Sequence, residues 1–314
     1  MTATPIVIDT DPGIDDAVAL LLAARWPRCD LRAVTATYGN TELGRAARNA
    51  RIVLARGGKP DVLVLAGADR PLSRPLVTAA ETHGVEGIGD HGAAPPPPTH
   101  PSPSALLDAV RAAREPVTLI TLGPLTNLAL ALRKDAPFLR ERVVKHVMMG
   151  GAIAARGTAT RLAEFNVWCD PEAAADVFAA GLRTEMVGLD VTRRLMMPAA
   201  AVNRLIQHPD ADARWLGALL RFYVKFHREY EGLAGAVIND PLAVALALEP
   251  SWGTARAMPL RLELGEGESR GQTLVGAAGD PVVAVYEDFD VTAVHDLLLE
   301  HVFGRWLTRA DFAA

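Results

Sequence analysis

A β-branched run, Ile6-Val7-Ile8, opens directly onto Asp9-Thr10-Asp11-Pro12-Gly13-Ile14-Asp15-Asp16, which sets four carboxylates within eight residues. Carboxylates this close repel one another, and a strand that delivers them to one place needs something there to neutralise them. Hard divalent cations take carboxylate oxygens as ligands. Pro12-Gly13 supplies a tight strand-to-helix turn that can gather Asp11, Asp15 and Asp16 around one ion. A helix N-terminus enriched in acid to offset the macrodipole accounts for one or two of these residues. It gives no reason for Asp9 and Asp11 at the strand end.

Such a site needs a scaffold, and the hydrophobic patterning describes one. Apolar, β-rich runs alternate with helical periodicity: Ile6–Ile8 then Asp15–Arg25, Leu31–Thr37 then Glu42–Arg56, Val62–Leu65 then Ala105–Arg114, and Val117–Leu122 then Leu125–Leu132. Val143–Met149 and Thr184–Leu189 read as further strands around a helix at Pro171–Ala180, and helical patterns follow at Pro198–Gln207, Asp212–Tyr230 and Asp240–Leu248. Short strands at Ala257–Leu264 and Pro281–Val285 precede a last helix over Val291–Leu307. The strands are continuously apolar rather than alternating, which predicts an α/β fold: an open, mostly parallel sheet covered by helices on both faces, with extra C-terminal helices. Ligands of such sheets bind beyond the carboxyl ends of the strands. Those ends read Asp9–Asp16, Tyr38-Gly39-Asn40, Leu122-Gly123-Pro124, Met149-Gly150-Gly151 and Asp190, so one concave site fed by several strands is expected.

With 314 residues, half of them apolar and 22% charged, the chain is expected to form a single domain over 1–314. A net charge of -5 argues against nucleic acid as a partner, because a phosphate footprint needs clustered Lys and Arg. Cys29 and Cys169 are 140 positions apart with no metal-ligand spacing around them, and read as buried small hydrophobes. The first residues carry no basic segment, and the run Ala17–Ala24 is too short to span a bilayer, so no membrane association and a cytoplasmic location are expected. A poorly patterned stretch, Thr78–Ser104, holds His83, Gly84, Gly87, Gly89, Asp90, His91, Gly92 and the run Pro95–Pro98, and reads as a long loop of the kind that serves as a lid.

Taken together, the chain resembles the nucleoside hydrolases, calcium-dependent enzymes that cleave the N-glycosidic bond of ribonucleosides. The resemblance runs through the Asp9–Ala17 block, Tyr38-Gly39-Asn40, Leu122-Gly123-Pro124-Leu125-Thr126-Asn127, Met149-Gly150-Gly151, Ala163-Glu164-Phe165-Asn166-Val167, Asp170-Pro171-Glu172-Ala173-Ala174 and Asp240-Pro241-Leu242-Ala243. It implies a Ca2+ ion held by Asp11, Asp16, Asp240 and the backbone carbonyl of Leu122, with two ribose hydroxyls and a water completing the shell. It also implies Asp11 as the general base toward that water, attack on the anomeric carbon, and an oxocarbenium-like transition state. Asp15, Asn40, Glu164 and Asn166 match the residues that grip the ribose hydroxyls, and Met149 the lining of the substrate pocket. The family habit is a homodimer or homotetramer acting on a small ribonucleoside.

Two positions depart from the pattern. A His commonly stands just before the last calcium-ligating Asp and protonates the departing base, whereas this chain has Asn239, which cannot give up a proton. Thr158 stands where relatives carry an Asn at the 5′-hydroxyl. Substitute acids are His83, in a His-Gly-x-x-Gly spacing, and His227, in the helical pattern beside Arg228. The base preference is open for this reason. Two other readings compete: a calcium-dependent ribose- or nucleoside-binding protein with little turnover, and a haloacid-dehalogenase-like phosphatase, whose first strand also ends in Asp-x-Asp but which lacks the Pro12-Gly13 turn and the second Asp pair.

Overall fold

The computed structural model describes residues 3–89, 97 and 99–312. Asp90, His91, Gly92, Pro95, Pro96 and Pro98 of the expected loop lie outside the described residues.

The strands are β1 (Thr4–Thr10), β2 (Cys29–Ala36), β3 (Leu63–Ala66), β4 (Val117–Thr121), β5 (Val143–Met149), β6 (Thr184–Val187), β7 (Met196–Pro198), β8 (Gly235–Val237), β9 (Gly253–Leu262), β10 (Thr273–Val275) and β11 (Val282–Phe289). Nine of them form one sheet in the order β10-β9-β11-β6-β5-β4-β1-β2-β3, and β7 pairs with β8 apart from it. Neighbours from β3 through β6 to β11 run parallel, while β9 and β10 are antiparallel to theirs. The α/β expectation is met.

Alternation along the strands explains why both faces are covered. Ile6 and Ile8 point into one apolar cluster, shared with the helices Ile14–Arg25 and Asp240–Leu248, while Val7 between them joins the cluster under the helices Ala105–Ala112, Thr126–Arg142 and Pro171–Ala179. The helix Ile14–Arg25 is buried at every position from Ile14 to Ala24, and Asp240–Leu248 is buried throughout. Helices apolar on all sides belong in a core. Each of these two carries its acids, Asp15 and Asp16 or Asp240, in the first turn.

Several boundaries differ from the sequence reading. The helix expected to stop at Leu132 runs to Arg142 with a kink at Asp135, whose carboxylate accepts the N–H of Phe138 at 3.2 Å and caps a new segment begun by Pro137. The strand expected to reach Leu189 ends at Val187, and a one-turn helix, Leu189–Thr192, takes over. The helix expected to reach Tyr230 is regular only over Ala211–Phe226 and widens into a π turn, His227–Glu231, closed by left-handed Gly232 (φ 70°). The last helix likewise gives way to a π turn after Leu298. Within the expected loop, Ala80–His83 form a helical turn and His83 and Ile88 are buried, whereas Val85, Pro97, His100, Pro101 and Pro103 are exposed.

Candidate active site

Asp11 directly follows β1 and is fully buried between the ends of that strand's two neighbours. Its Oδ2 accepts the backbone N–H of Asn40, after β2, at 2.7 Å, while its buried Oδ1 has no partner. A Cβ on Gly39 would lie 1.9 Å from Oδ2, and one on Gly123, after β4, would lie 2.5 Å from Oδ1. The glycines of both strand ends are therefore there to admit this carboxylate. Gly13 is glycine for a related reason: a Cβ there would meet the Asn40 amide at 2.5 Å and the His83 ring at 2.6 Å.

Carboxylate oxygens of Asp15, Asp16 and Asp240 all lie within 4.8 Å of one another, where the two buried helices begin. Asp11 is tied to this trio through Asn40, which donates from Nδ2 to Asp16 Oδ2 at 2.8 Å. Asp16 also accepts the N–H of Gly13 at 2.8 Å and the hydroxyl of Thr10. Burial, followed by repulsion among the neighbouring acids, holds the Asp11 and Asp240 carboxyls well above their usual range and lifts Asp16 to about 6. No Lys or Arg pairs with these acids among the described residues. An all-oxygen, net-negative, buried donor set with an unpartnered oxygen fits a hard divalent cation.

Beside the acids opens a pocket that mixes polar and apolar lining, the setting in which small ligands bind. Asp15, Asn40, Leu122, Met149, Glu164, Asn166, Asp240, Thr158, His83, His227 and Asn239, all singled out in the sequence, line it; Asp11 and Asp16 sit behind that lining. Asn166 Nδ2 reaches the Leu122 carbonyl at 2.8 Å and the Met149 carbonyl at 3.3 Å, joining the ends of β4 and β5. Glu164 spends both oxygens on backbone: it accepts the N–H groups of Asn166 (2.8 Å) and Val167 (3.1 Å), capping the helix Phe165–Cys169, and that of Gly151 (2.9 Å). Thr158 is exposed at the pocket wall, with its hydroxyl accepting the Phe165 N–H at 3.1 Å.

The two histidines share this pocket and flank Tyr223, which the sequence reading did not single out. Its ring centroid lies 5.1 Å from that of His83 and 4.4 Å from that of His227. Its hydroxyl donates to Asp15 Oδ2 at 3.2 Å. Asn239 donates from Nδ2 to the same Asp15 oxygen at 3.0 Å and lies 3.3 Å from the Tyr223 hydroxyl. Burial pushes His83 down to about 4 and lowers His227. His83 Nδ1 accepts the N–H of Ile14 at 3.1 Å, so the neutral ring carries its proton on Nε2. The only signal for Tyr223 in the sequence was its place one turn before His227 on an amphipathic helix.

Residues 6–296 match the family model of the inosine-uridine preferring nucleoside hydrolases. The chain belongs to the nucleoside hydrolase family. It is 35% identical, over 96% of its length and 98% of the relative's, to a pyrimidine-specific ribonucleoside hydrolase, RihA, of Salmonella paratyphi B. Among solved structures it is similar to a plant nucleoside hydrolase, PpNRh1 (TM-score 0.86, 30% identity, 95% of this chain and 98% of that one). It is also similar to a purine-preferring ribonucleoside hydrolase of Gardnerella vaginalis (TM-score 0.87, 28% identity, 96% and 98%). The phosphatase reading, which rested on Asp-x-Asp alone, is not favoured. The chain is a nucleoside hydrolase, and no helix among its described residues is long and apolar enough to cross a membrane.

Proposed function

We propose that this hydrolase cleaves the N-glycosidic bond of ribonucleosides to free base and ribose with Ca2+ as its resident ion. The supporting observation is Asp11, a buried carboxylate with one oxygen fixed by the Asn40 N–H and the other unpartnered, beside three converging acids. Asp11, Asp16, Asp240 and the Leu122 carbonyl would hold the ion, which supplies a seat for the ribose diol and a more acidic water. Asp11 takes the proton of the attacking water. Asn40 keeps that carboxylate from rotating, and the buried acids stabilise positive charge growing on the sugar ring. Asp15, Asn40, Glu164 and Asn166 grip the ribose hydroxyls, Thr158 faces the 5′ end, and Met149 lines the floor.

At the leaving group stand Asn239, His83, His227 and Tyr223. With both imidazoles held neutral by burial and Asn239 unable to release a proton, these groups orient the aglycone by hydrogen bonds and stacking. Residues 1–314 act as a single domain, assembled as a homodimer or homotetramer in the cytoplasm. The test is release of reducing sugar from a panel of common ribonucleosides with and without a calcium chelator. Hydrolysis that is lost on chelation and restored by Ca2+ is expected. Nucleoside binding by calorimetry with no turnover at high enzyme concentration would refute hydrolysis and leave a binding protein.

A further inference from the structure

The pocket wall that carries Thr158 is the segment between Gly151, just after β5, and Glu164. Its two ends meet, because the Gly151 N–H donates to Glu164 Oε2 at 2.9 Å. Its tip folds back on itself through backbone bonds from Gly157 to the Arg161 carbonyl (3.0 Å) and from Thr158 to the Ala163 carbonyl (3.1 Å). The stem leading to that tip, Ala152-Ile153-Ala154-Ala155, has no polar side chain with which to fix itself. It is held from outside by Asp190, on the one-turn helix after β6: Oδ2 accepts the N–H of Ile153 at 2.8 Å, and Oδ1 accepts those of Ala154 at 2.7 Å and Ala155 at 2.9 Å. Three successive N–H groups converging on one point make an anion nest, filled here by the protein's own side chain, and a carboxylate acceptor makes each such bond about twice as strong as a neutral one. Among the described residues these amides have no other acceptor. The neighbours of Asp190 extend the grip. The N–H of Leu189 donates to the Gly151 carbonyl at 2.9 Å, and Arg193 Nη2 donates to the Arg156 carbonyl at 3.2 Å. Gly188 permits this approach, since a Cβ there would stand 2.8 Å from the Gly151 carbonyl oxygen.

Asp190 is not among the residues that line the pocket, whereas Thr158 is. We propose that Asp190 is a positioning residue of the hydrolase: through the amides of Ile153, Ala154 and Ala155 it fixes the wall at the place where Thr158 meets the 5′ end of the riboside. The inference rests on the hydrolytic reading and the Thr158 assignment above, and adds the group that sets Thr158 in place. The Thr158 hydroxyl oxygen accepts the Phe165 N–H at 3.1 Å, and among the described residues no acceptor takes its proton, which is left for a ligand. Asp11, Asp16 and Asp240 make no hydrogen bond to residues 151–163 among the described residues, so loss of Asp190 acts on substrate binding and leaves the base and the ion site in place.

The test measures kcat and KM for uridine and inosine, each beside its 5′-deoxy counterpart, in the calcium-loaded wild type, Asp190→Ala, Asp190→Asn, Thr158→Ala and the Asp190→Ala/Thr158→Ala double variant, with a thermal melt of each. In the wild type the 5′-deoxy compound is expected to show a KM about tenfold higher, the scale of one lost hydrogen bond. Asp190→Ala is expected to raise KM for the ribonucleoside about tenfold while leaving its kcat and the 5′-deoxy KM within about twofold, so that the KM ratio collapses toward one. Asp190→Asn keeps one oxygen for Ala154 and Ala155, and is expected to raise KM only about threefold. Adding Asp190→Ala to Thr158→Ala is expected to cost no more than about twofold further, because the two act as one unit. Equal KM within each pair in the wild type, a rise in KM shared equally by both members of a pair, or a lowered Tm with the KM ratio kept at its wild-type value overturns this inference and spares the hydrolase. Failure of the wild type to cleave any of the four compounds overturns both.

Discussion

Gly123→Ala is the cleanest perturbation of the proposed base, because it adds one methyl group against Asp11 without straining the backbone; among the described residues Gly123 is not one of the positive-φ positions. The new Cβ would stand 2.5 Å from Asp11 Oδ1 and 2.8 Å from its Cγ, where ordinary contacts begin near 3.4 Å, so the carboxylate must retreat by roughly half an ångström to an ångström. It has nowhere to go: Oδ2 is held by the Asn40 N–H, and the Gly39 position closes the other side. A displacement of about 1 Å in a positioned catalytic group costs on the order of 100-fold in rate, or about 2.7 kcal/mol of barrier. We expect kcat for ribonucleoside hydrolysis to fall by about that factor, with Ca2+ affinity weakened and the Tm of the calcium-loaded protein lowered by only a few degrees (~1 kcal/mol). Steady-state kinetics, calcium titration calorimetry and a thermal melt on the same preparation separate these effects. A kcat within threefold of wild type and unchanged calcium affinity would show that Asp11 is not the group whose placement matters. Gly39→Ala is a less clean probe, because its φ of 153° adds backbone cost to the clash.

Tyr223→Phe removes the hydroxyl shared by Asp15 and Asn239, each contact worth about 1 kcal/mol, and should lower kcat/KM roughly tenfold with little change in Tm; an unaltered kcat/KM would place Tyr223 in packing alone. Deoxyribonucleosides should be poorer substrates than their ribo counterparts by about one to two orders of magnitude, since a missing hydroxyl leaves buried groups unpaired at ~1–3 kcal/mol, and equal kcat/KM would refute the assigned grip of Asp15, Asn40, Glu164 and Asn166. Burial raises Asp9 to about 7 and Asp16 to about 6, with Asp11 and Asp240 also up, so these carboxyls keep protons in the folded state that the unfolded chain has lost. Their contribution to stability is full below the ordinary value of 3.8 and disappears as pH rises through about 6 and 7, while Ca2+ competes with the same protons. The rise in Tm on adding saturating Ca2+ should therefore grow between pH 5.5 and 8, and a pH-independent increment in paired melts would contradict it.

The parts of this molecule legible in the sequence are those fixed by short-range physics. β1 and the helix after it were legible because an apolar run, a turn and a second apolar run follow one another without interruption, and Asp240–Leu248 because an Asp-Pro start leads into seven consecutive apolar residues. The meeting of the two helix starts was not legible from spacing, since Asp16 and Asp240 are more than two hundred residues apart; only the family resemblance joined them. The kink at Asp135 and the π turn at His227–Glu231 were missed because each depends on local hydrogen-bond geometry that leaves the apolar pattern unchanged. That π turn lies on the pocket and carries His227, and it sits beyond Tyr223, whose hydroxyl and ring contact Asp15 and His227.

Asn239 shows how far a residue's type alone can mislead about its role. As an isolated substitution for an acid it reads as a loss, a side chain able to donate a hydrogen bond but not a proton. In the fold its NH2 is already committed to Asp15 and the Tyr223 hydroxyl, and its carbonyl oxygen is buried without a partner. Asp15 is the group that organises this corner of the pocket, because one of its oxygens accepts from the Asn239 backbone N–H, the Asn239 amide and the Tyr223 hydroxyl, so that replacing any one of the three side chains disturbs the other two.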